Sequence, residues 1–174
     1  LDALNTIKYK AMKKIQHIIE IEDYQSFDEL NPQDRKLLDK ARLACKSAYA
    51  PYSQFRVGAA VLLANGEIVS GNNQENAAYP SGLCAERVAM YYASANYPNV
   101  PMLSIAVAVE SEAVKFNKPL APCGSCRQVM AEYEHLFQMK MRVILSEPGG
   151  RVQIINGISD LLPFTFNAKE LKGL

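Results

Sequence analysis

Two short stretches combine residue types and spacing that could do chemistry: Cys84-Ala85-Glu86 and Pro122-Cys123-Gly124-Ser125-Cys126. Each follows a loop-like stretch and stands where a helix is predicted to begin. Thiolates are favoured at such places, because unpaired backbone N–H groups and the helix dipole stabilise negative charge. Three thiolates on one zinc leave a position open. Three protein ligands plus a water mark a catalytic zinc site, whereas four ligands mark a structural one. No fourth ligand is evident: Cys45 lies on a different segment, and His17 and His135 are distant in sequence. Glu86 follows Cys84 by two positions, so on a helix it points beside the metal rather than at it, where a proton shuttle belongs. A lone glutamate at a helix start would read as compensating the dipole; beside three cysteines in this layout, the catalytic reading prevails.

The elements that must position these residues can be read from periodicity. Asn31-Pro32 is a helix start, with a capping side chain followed by proline at the first helical position. Leu37, Leu38, Ala41, Ala44, Cys45 and Ala48 then share one face. Cys45 on that stripe is expected to be a small buried apolar residue. Phe55 to Leu63 is predicted as a strand, Asn65-Gly66 as a tight hairpin and Glu67 to Gly71 as the returning strand. Residues 72–83 read as a loop, Cys84 to Asn96 as a helix, and Leu103 to Val109 as a strand. Pro122 to Leu136 opens as a loop and becomes a helix. Met141 to Ser146 and Arg151 to Ile155 are strands around the turn Pro148-Gly149-Gly150, which is short enough to require antiparallel pairing. Helices that cross between strands predict parallel pairing elsewhere. The fold class is α/β, a three-layer sandwich with a mixed sheet of about five strands flanked by helices. Upstream, Leu4, Ile7, Ala11, Ile15 and Ile18 predict an amphipathic helix over 4–22. Residues 1–30 thus form a helical extension, and 31–174 form a single domain. The tail Leu161-Leu162-Pro163-Phe164-Thr165-Phe166 is too apolar for water and is expected to cover the core or another subunit.

The 174 residues are 49% hydrophobic, which suits one compact domain. With 19 basic and 18 acidic side chains, the net charge of +1 argues against nucleic acid as the main partner. Lys8, Lys10, Lys13 and Lys14 read as a solvated helix face. No apolar run reaches the roughly 18 residues needed to span a bilayer, and no signal-peptide pattern opens the chain. Clustered cysteines in this setting bind metal or do chemistry more often than they form disulfides. The expectation is a cytoplasmic protein with no membrane partner.

The cysteine and glutamate pattern matches the motif of the zinc deaminases, H-x-E…P-C-x-x-C, in an all-cysteine version. More specifically, the chain resembles the small cytidine deaminases that act on free nucleosides. The resemblance runs from about Leu38 to Phe166. It rests on the run from Ala50 to Ala60 (APYSQFRVGAA), the run from Gly71 to Pro80 (GNNQENAAYP), Cys123 to Val129 (CGSCRQV) and Leu161-Leu162-Pro163. Members of that family commonly begin near the second predicted helix, so residues 1–30 are additional.

What the resemblance implies is specific. Cys84, Cys123 and Cys126 hold one Zn²⁺ per chain, which activates a water toward C4 of the pyrimidine. Glu86 carries the proton of that water to N3 and then protonates the departing ammonia. Arg87 hydrogen-bonds a ligand sulfur and withdraws charge from a centre whose three thiolates leave it formally negative. Asn73 and Glu75 bind ribose hydroxyls, Phe55 lies against the ring, and the N–H of Ala85 faces the base O2. Ala77, Tyr79 and Phe166 are lent to a neighbouring subunit, so a homotetramer with interfacial sites is expected, serving pyrimidine salvage. The nearest alternative is a deaminase of the same fold acting on another cytosine compound, such as blasticidin S, but the segment Asn73 to Ala77 favours a nucleoside. Deaminases that edit DNA or RNA would need an aromatic and basic stretch to grip a strand. A structural zinc module is disfavoured by the missing fourth ligand.

Overall fold

In the computed structural model, which describes residues 12–111 and 114–172, helix α1 runs over Pro32–Cys45. The Asn31 side chain caps it by accepting from the Asp34 N–H at 2.9 Å. Strand β2 (Arg56–Leu63) turns through Gly66, whose φ of +88 few other residues tolerate, into β3 (Ile68–Asn72). Helix α2 (Ala85–Asn96), strand β4 (Met102–Glu110), helix α3 (Gly124–Phe137) and strands β5 (Arg142–Ser146) and β6 (Val152–Asn156) follow. A short helix α4 (Ala168–Lys172) closes the described chain.

The sheet is mixed and has six strands; with β1 formed by Glu22–Tyr24, their order is β1-β6-β5-β4-β2-β3. β4 and β5, joined through α3, are parallel. β2 pairs antiparallel with both β3 and β4, and β5 pairs antiparallel with β6, as the short Pro148-Gly149-Gly150 turn requires. The strands alternate faces. Ala59, Val61, Leu63, Ile105, Val107, Val143 and Leu145 point to the layer of α2 and α3. Ala60, Leu62, Ala106, Ala108 and Ile144 point to α1. Three layers result, with one apolar core on each side of the sheet.

Two glycines let the helices sit close to the sheet. A Cβ on Gly58 would lie 2.0 Å from the Ala41 carbonyl oxygen of α1, and one on Gly71 would lie 2.5 Å from the Ala89 nitrogen of α2. A part-buried ion pair adds a polar tie between layers: Arg142 on β5 donates two hydrogen bonds, of 2.8 and 2.9 Å, to Asp34 on α1.

The sixth strand corrects the expected count and the expected upstream helix. Of the predicted helix over 4–22, residues 1–11 lie outside the described residues. Over residues 12–21 the backbone is not helical, and Glu22–Tyr24 is strand β1, antiparallel to β6. The reason is tertiary. Among the described residues, the helical spacing of Ile15 and Ile18 finds nothing to pack on, since they are 86% and 79% exposed. A short helix that buries no face is marginal in water. The free edge of β6, by contrast, offers a backbone ladder. Arg151 to Asp23 (2.7 Å) and Asn156 to Glu22 (2.6 Å) hold β1 there. The extension is therefore joined to the sheet from Glu22 onward. At the other end, Leu161 and Leu162 pack on the core as expected, whereas Phe164 is 95% exposed. Among the described residues no helix is long and apolar enough to cross a membrane.

Candidate active site

Cys84 is the N-cap of α2 and Cys123 the N-cap of α3; neither side chain caps its own helix, so both are free to face the gap between the two helix starts. Cys126 lies one turn into α3. The loop before Cys84 lacks periodicity yet is held firmly: Gln74 and Leu83 exchange backbone hydrogen bonds of 2.9 Å, and Glu75 donates its N–H to the Tyr49 carbonyl at 2.8 Å. The loop before Cys123 is held by Arg127, which donates to the carbonyls of Pro122 (2.8 Å) and Leu161 (2.9 Å).

The three sulfurs lie within 4.8 Å of one another, with Cys84 to Cys123 at 3.8 Å and Cys123 to Cys126 at 3.5 Å. Zinc–sulfur bonds of about 2.3 Å at tetrahedral angles put sulfurs about 3.8 Å apart, so the group has the size of one face of a zinc site. Among the described residues no fourth ligand-type side chain joins it. Cys45, the last residue of α1, lies in the other core, where its thiol donates to the Ala108 carbonyl at 3.3 Å. Burial pushes the Cys45 thiol up to about 11. Cys84 is driven the opposite way, to about 5, by hydrogen bonding from Cys126 and then from Arg87. Cys126, buried beside the Cys84 thiolate, is pushed up. The donor set is thiol-rich, one member ionises readily, and zinc fits it.

Glu86 stands on the first turn of α2, 4% exposed, beside the sulfurs. Burial is the main cause that raises its pKa above the ordinary carboxylate range, and the Cys84 charge adds to this. A carboxyl so placed can hold a proton and release it. Arg87 donates from Nη2 to the Cys84 sulfur at 3.6 Å, as expected of it.

Cys84, Cys123, Glu86 and Arg87 line a cavity of about 530 Å³, while Cys126 is fully buried and outside its lining. Phe55, Asn73, Glu75, Tyr79, Ala85, Glu86, Arg87, Cys84 and Cys123 line it, so residues far apart in the chain converge as the sequence predicted. Ala77 and Phe166 lie outside this cavity and are exposed; Tyr79 is on its rim, 81% exposed. Two side chains are more occupied than the sequence implied. The Asn73 amide accepts from the Val57 N–H (2.7 Å) and donates to the Phe55 carbonyl (2.9 Å). Glu75 accepts from the N–H groups of Tyr52 (2.9 Å) and Ser53 (3.3 Å) and from the Ser53 hydroxyl. The Ser53 bond contributes most to holding the Glu75 pKa below its ordinary value. Sequence reasoning did not single out Ser53 or Arg127 for these roles. Polar residues that serve a fold-wide contact carry no local signal of it.

A three-layer α/β domain with three thiols spaced to hold a zinc ion and a buried carboxyl beside them has the parts of a hydrolytic zinc enzyme. The family described as the cytidine and deoxycytidylate deaminase zinc-binding region matches residues 31–139. A cytidine deaminase of Halalkalibacterium halodurans is 40% identical over 139 residues, covering 79% of this chain and 98% of the relative. One from Sporosarcina psychrophila is 37% identical over 136 residues, 78% and 93% respectively. The crystal structure of a cytidine deaminase from Burkholderia pseudomallei superposes with a TM-score of 0.67 at 38% identity, over 79% of this chain and all of that one. The chain belongs to the cytidine and deoxycytidylate deaminase family.

Proposed function

We propose that this enzyme hydrolyses the 4-amino group of cytidine, and of deoxycytidine, to give uridine or deoxyuridine and ammonia. The observation that carries the reading is the buried Glu86 beside three sulfurs that lie within 4.8 Å of one another, at a cavity that Glu86, Cys84 and Cys123 line. When held by Cys84, Cys123 and Cys126, zinc supplies the Lewis acidity that makes a water nucleophilic near neutral pH. Glu86 accepts one proton of the attacking water and passes it to N3; it then takes the second proton from the oxygen now bonded to C4 and gives it to the leaving amine. Water and cytidine are consumed and uridine and ammonia formed, with Glu86 returned to its starting state. Its raised pKa suits both the uptake and the release of the proton.

Phe55 lies against the pyrimidine and the N–H of Ala85 faces its O2. Asn73 keeps one amide hydrogen and one lone pair for a ribose hydroxyl. Glu75 accepts three bonds from the protein, and of the roughly four acceptor sites of a carboxylate one remains for the sugar. Among the described residues, Arg87 is the one cation lining the cavity, and it is engaged with Cys84. A 5′-phosphate would meet the Glu75 carboxylate with nothing to neutralise it, which favours the free nucleoside. Ala77, Tyr79 and Phe166 serve the site of a neighbouring copy in a homotetramer; exposed Phe166 and Tyr79 support this. The enzyme works in the cytoplasm, in pyrimidine salvage, without nucleic acid or membrane partners. Residues 31–174 form its catalytic domain.

The test is chromatographic detection of uridine from cytidine with protein carrying one zinc per chain. Conversion should fall by about 10⁴-fold or more in Glu86→Gln, the top of the range for one acid–base group, because two proton transfers depend on it. No conversion by zinc-loaded wild type, or more than a tenth of the rate in Glu86→Gln, would overturn the reading.

A further inference from the structure

The segment between β4 and Cys123 does more than connect. Its Leu120 and Ala121 line the cavity, its Pro119 is buried, and it ends on a zinc ligand. From the same segment Phe116 sets its ring against Phe55, with centroids 5.8 Å apart and planes inclined by 60°. That tilted geometry is the preferred one for aromatic pairs. Phe55 is gripped from its backbone side as well: its N–H donates to the Ser53 hydroxyl at 3.0 Å and its carbonyl accepts from Asn73 at 2.9 Å. Backbone bonds fix where Phe55 stands but leave its ring free to turn about the Cα–Cβ–Cγ bonds. Phe116 is half-buried and takes no part in the ligand set, the proton path or the cavity lining.

We infer that Phe116 is a positioning residue: by packing on Phe55 it holds the ring in the orientation that receives the planar base, and it thereby sets affinity for the pyrimidine without touching it. The inference rests on the reading of the cavity as a nucleoside site. A ring that must be ordered at the moment of binding weakens binding, whereas one ordered beforehand does not. The loss should therefore fall on KM, with kcat retained, because Glu86 and the sulfurs are untouched.

The experiment compares zinc-loaded wild type, Phe116→Ala, Phe116→Leu and Phe116→Tyr with cytidine, together with zinc content and melting temperature. Phe116→Ala should raise KM by about two- to twelve-fold, the range spanned by one aromatic pair, with kcat within twofold (about the scatter of such measurements) and one zinc per chain. Phe116→Tyr, which keeps the ring, should restore the wild-type KM. An unchanged KM in Phe116→Ala overturns the inference. So does a loss of zinc or a fall in kcat alone, since Phe116 would then merely brace the loop to Cys123. Should Phe116→Ala fail to fold, Phe116→Leu is compared with Phe116→Tyr: a raised KM in the first alone is expected, and equal values overturn it. If wild type itself does not convert cytidine, the nucleoside reading has failed, independently of Phe116.

Discussion

Arg87 Nη2 lies 3.6 Å from the sulfur of Cys84, three residues earlier and one helical turn away. The contact raises the Arg87 pKa and lowers that of Cys84, so the two groups hold each other charged. Removing the guanidinium leaves the three-sulfur centre more negative and less able to acidify what it binds. Arg87→Gln should keep one zinc per chain yet move the acidic limb of the pH–rate profile to higher pH. An unmoved profile would show that the contact carries no charge effect.

The thiols should separate by reactivity once zinc is stripped with a chelator. Cys84, lowered to about 5, is a thiolate at neutral pH, and its alkylation should slow as pH falls through about 5. Cys45, fully buried and raised to about 11, should stay unlabelled in folded protein at pH 7 and react on unfolding. Mass-spectrometric mapping after brief iodoacetamide exposure reads both. Labelling of Cys45 at the rate of Cys84 would contradict the assignment.

Gly71 has a consequence for catalysis as well as stability. Any side chain there would drive α2 off β3 at Ala89, and α2 carries both Cys84 and Glu86. Gly71→Ala should cost about 1–3 kcal/mol by urea denaturation, as overpacking does, and should lower kcat too. Full activity with full stability would mean that α2 yields without moving its first turn.

Asp34 and Arg142 make a bidentate bridge from α1 to β5, on the face of the sheet away from the cysteines. Asp34 is buried while Arg142 is part-exposed, so the cost of breaking the pair is reduced by water reaching the arginine. Asp34→Ala should destabilise by roughly 2–3 kcal/mol while leaving the KM for cytidine and the zinc content unchanged. A change in KM would show that the two cores are coupled.

Much of this molecule is legible in its residues. The apolar strands over Phe55 to Leu63 and Leu103 to Val109, the Asn31 cap and the Asn65-Gly66 turn are local matters, set by residue type and backbone preference within a few residues. So is the placing of Cys84 and Cys123 at helix starts, because a loop followed by a helical period defines an N-terminus wherever it lies. A three-cysteine set able to hold zinc is legible from residue type and the short Cys123 to Cys126 spacing.

Only the tertiary structure decided the rest, because it depends on which surfaces meet. Glu22–Tyr24 became a strand because β6 had an edge to offer, although the apolar spacing upstream favoured a helix. Glu86 gained its raised pKa from burial under other elements, which its own neighbours in the chain do not provide. The amide of Asn73 is half spent on β2, and Phe116 meets Phe55 across 61 positions of sequence. Periodicity reports the face a residue turns inward; it carries no information about the partner waiting there.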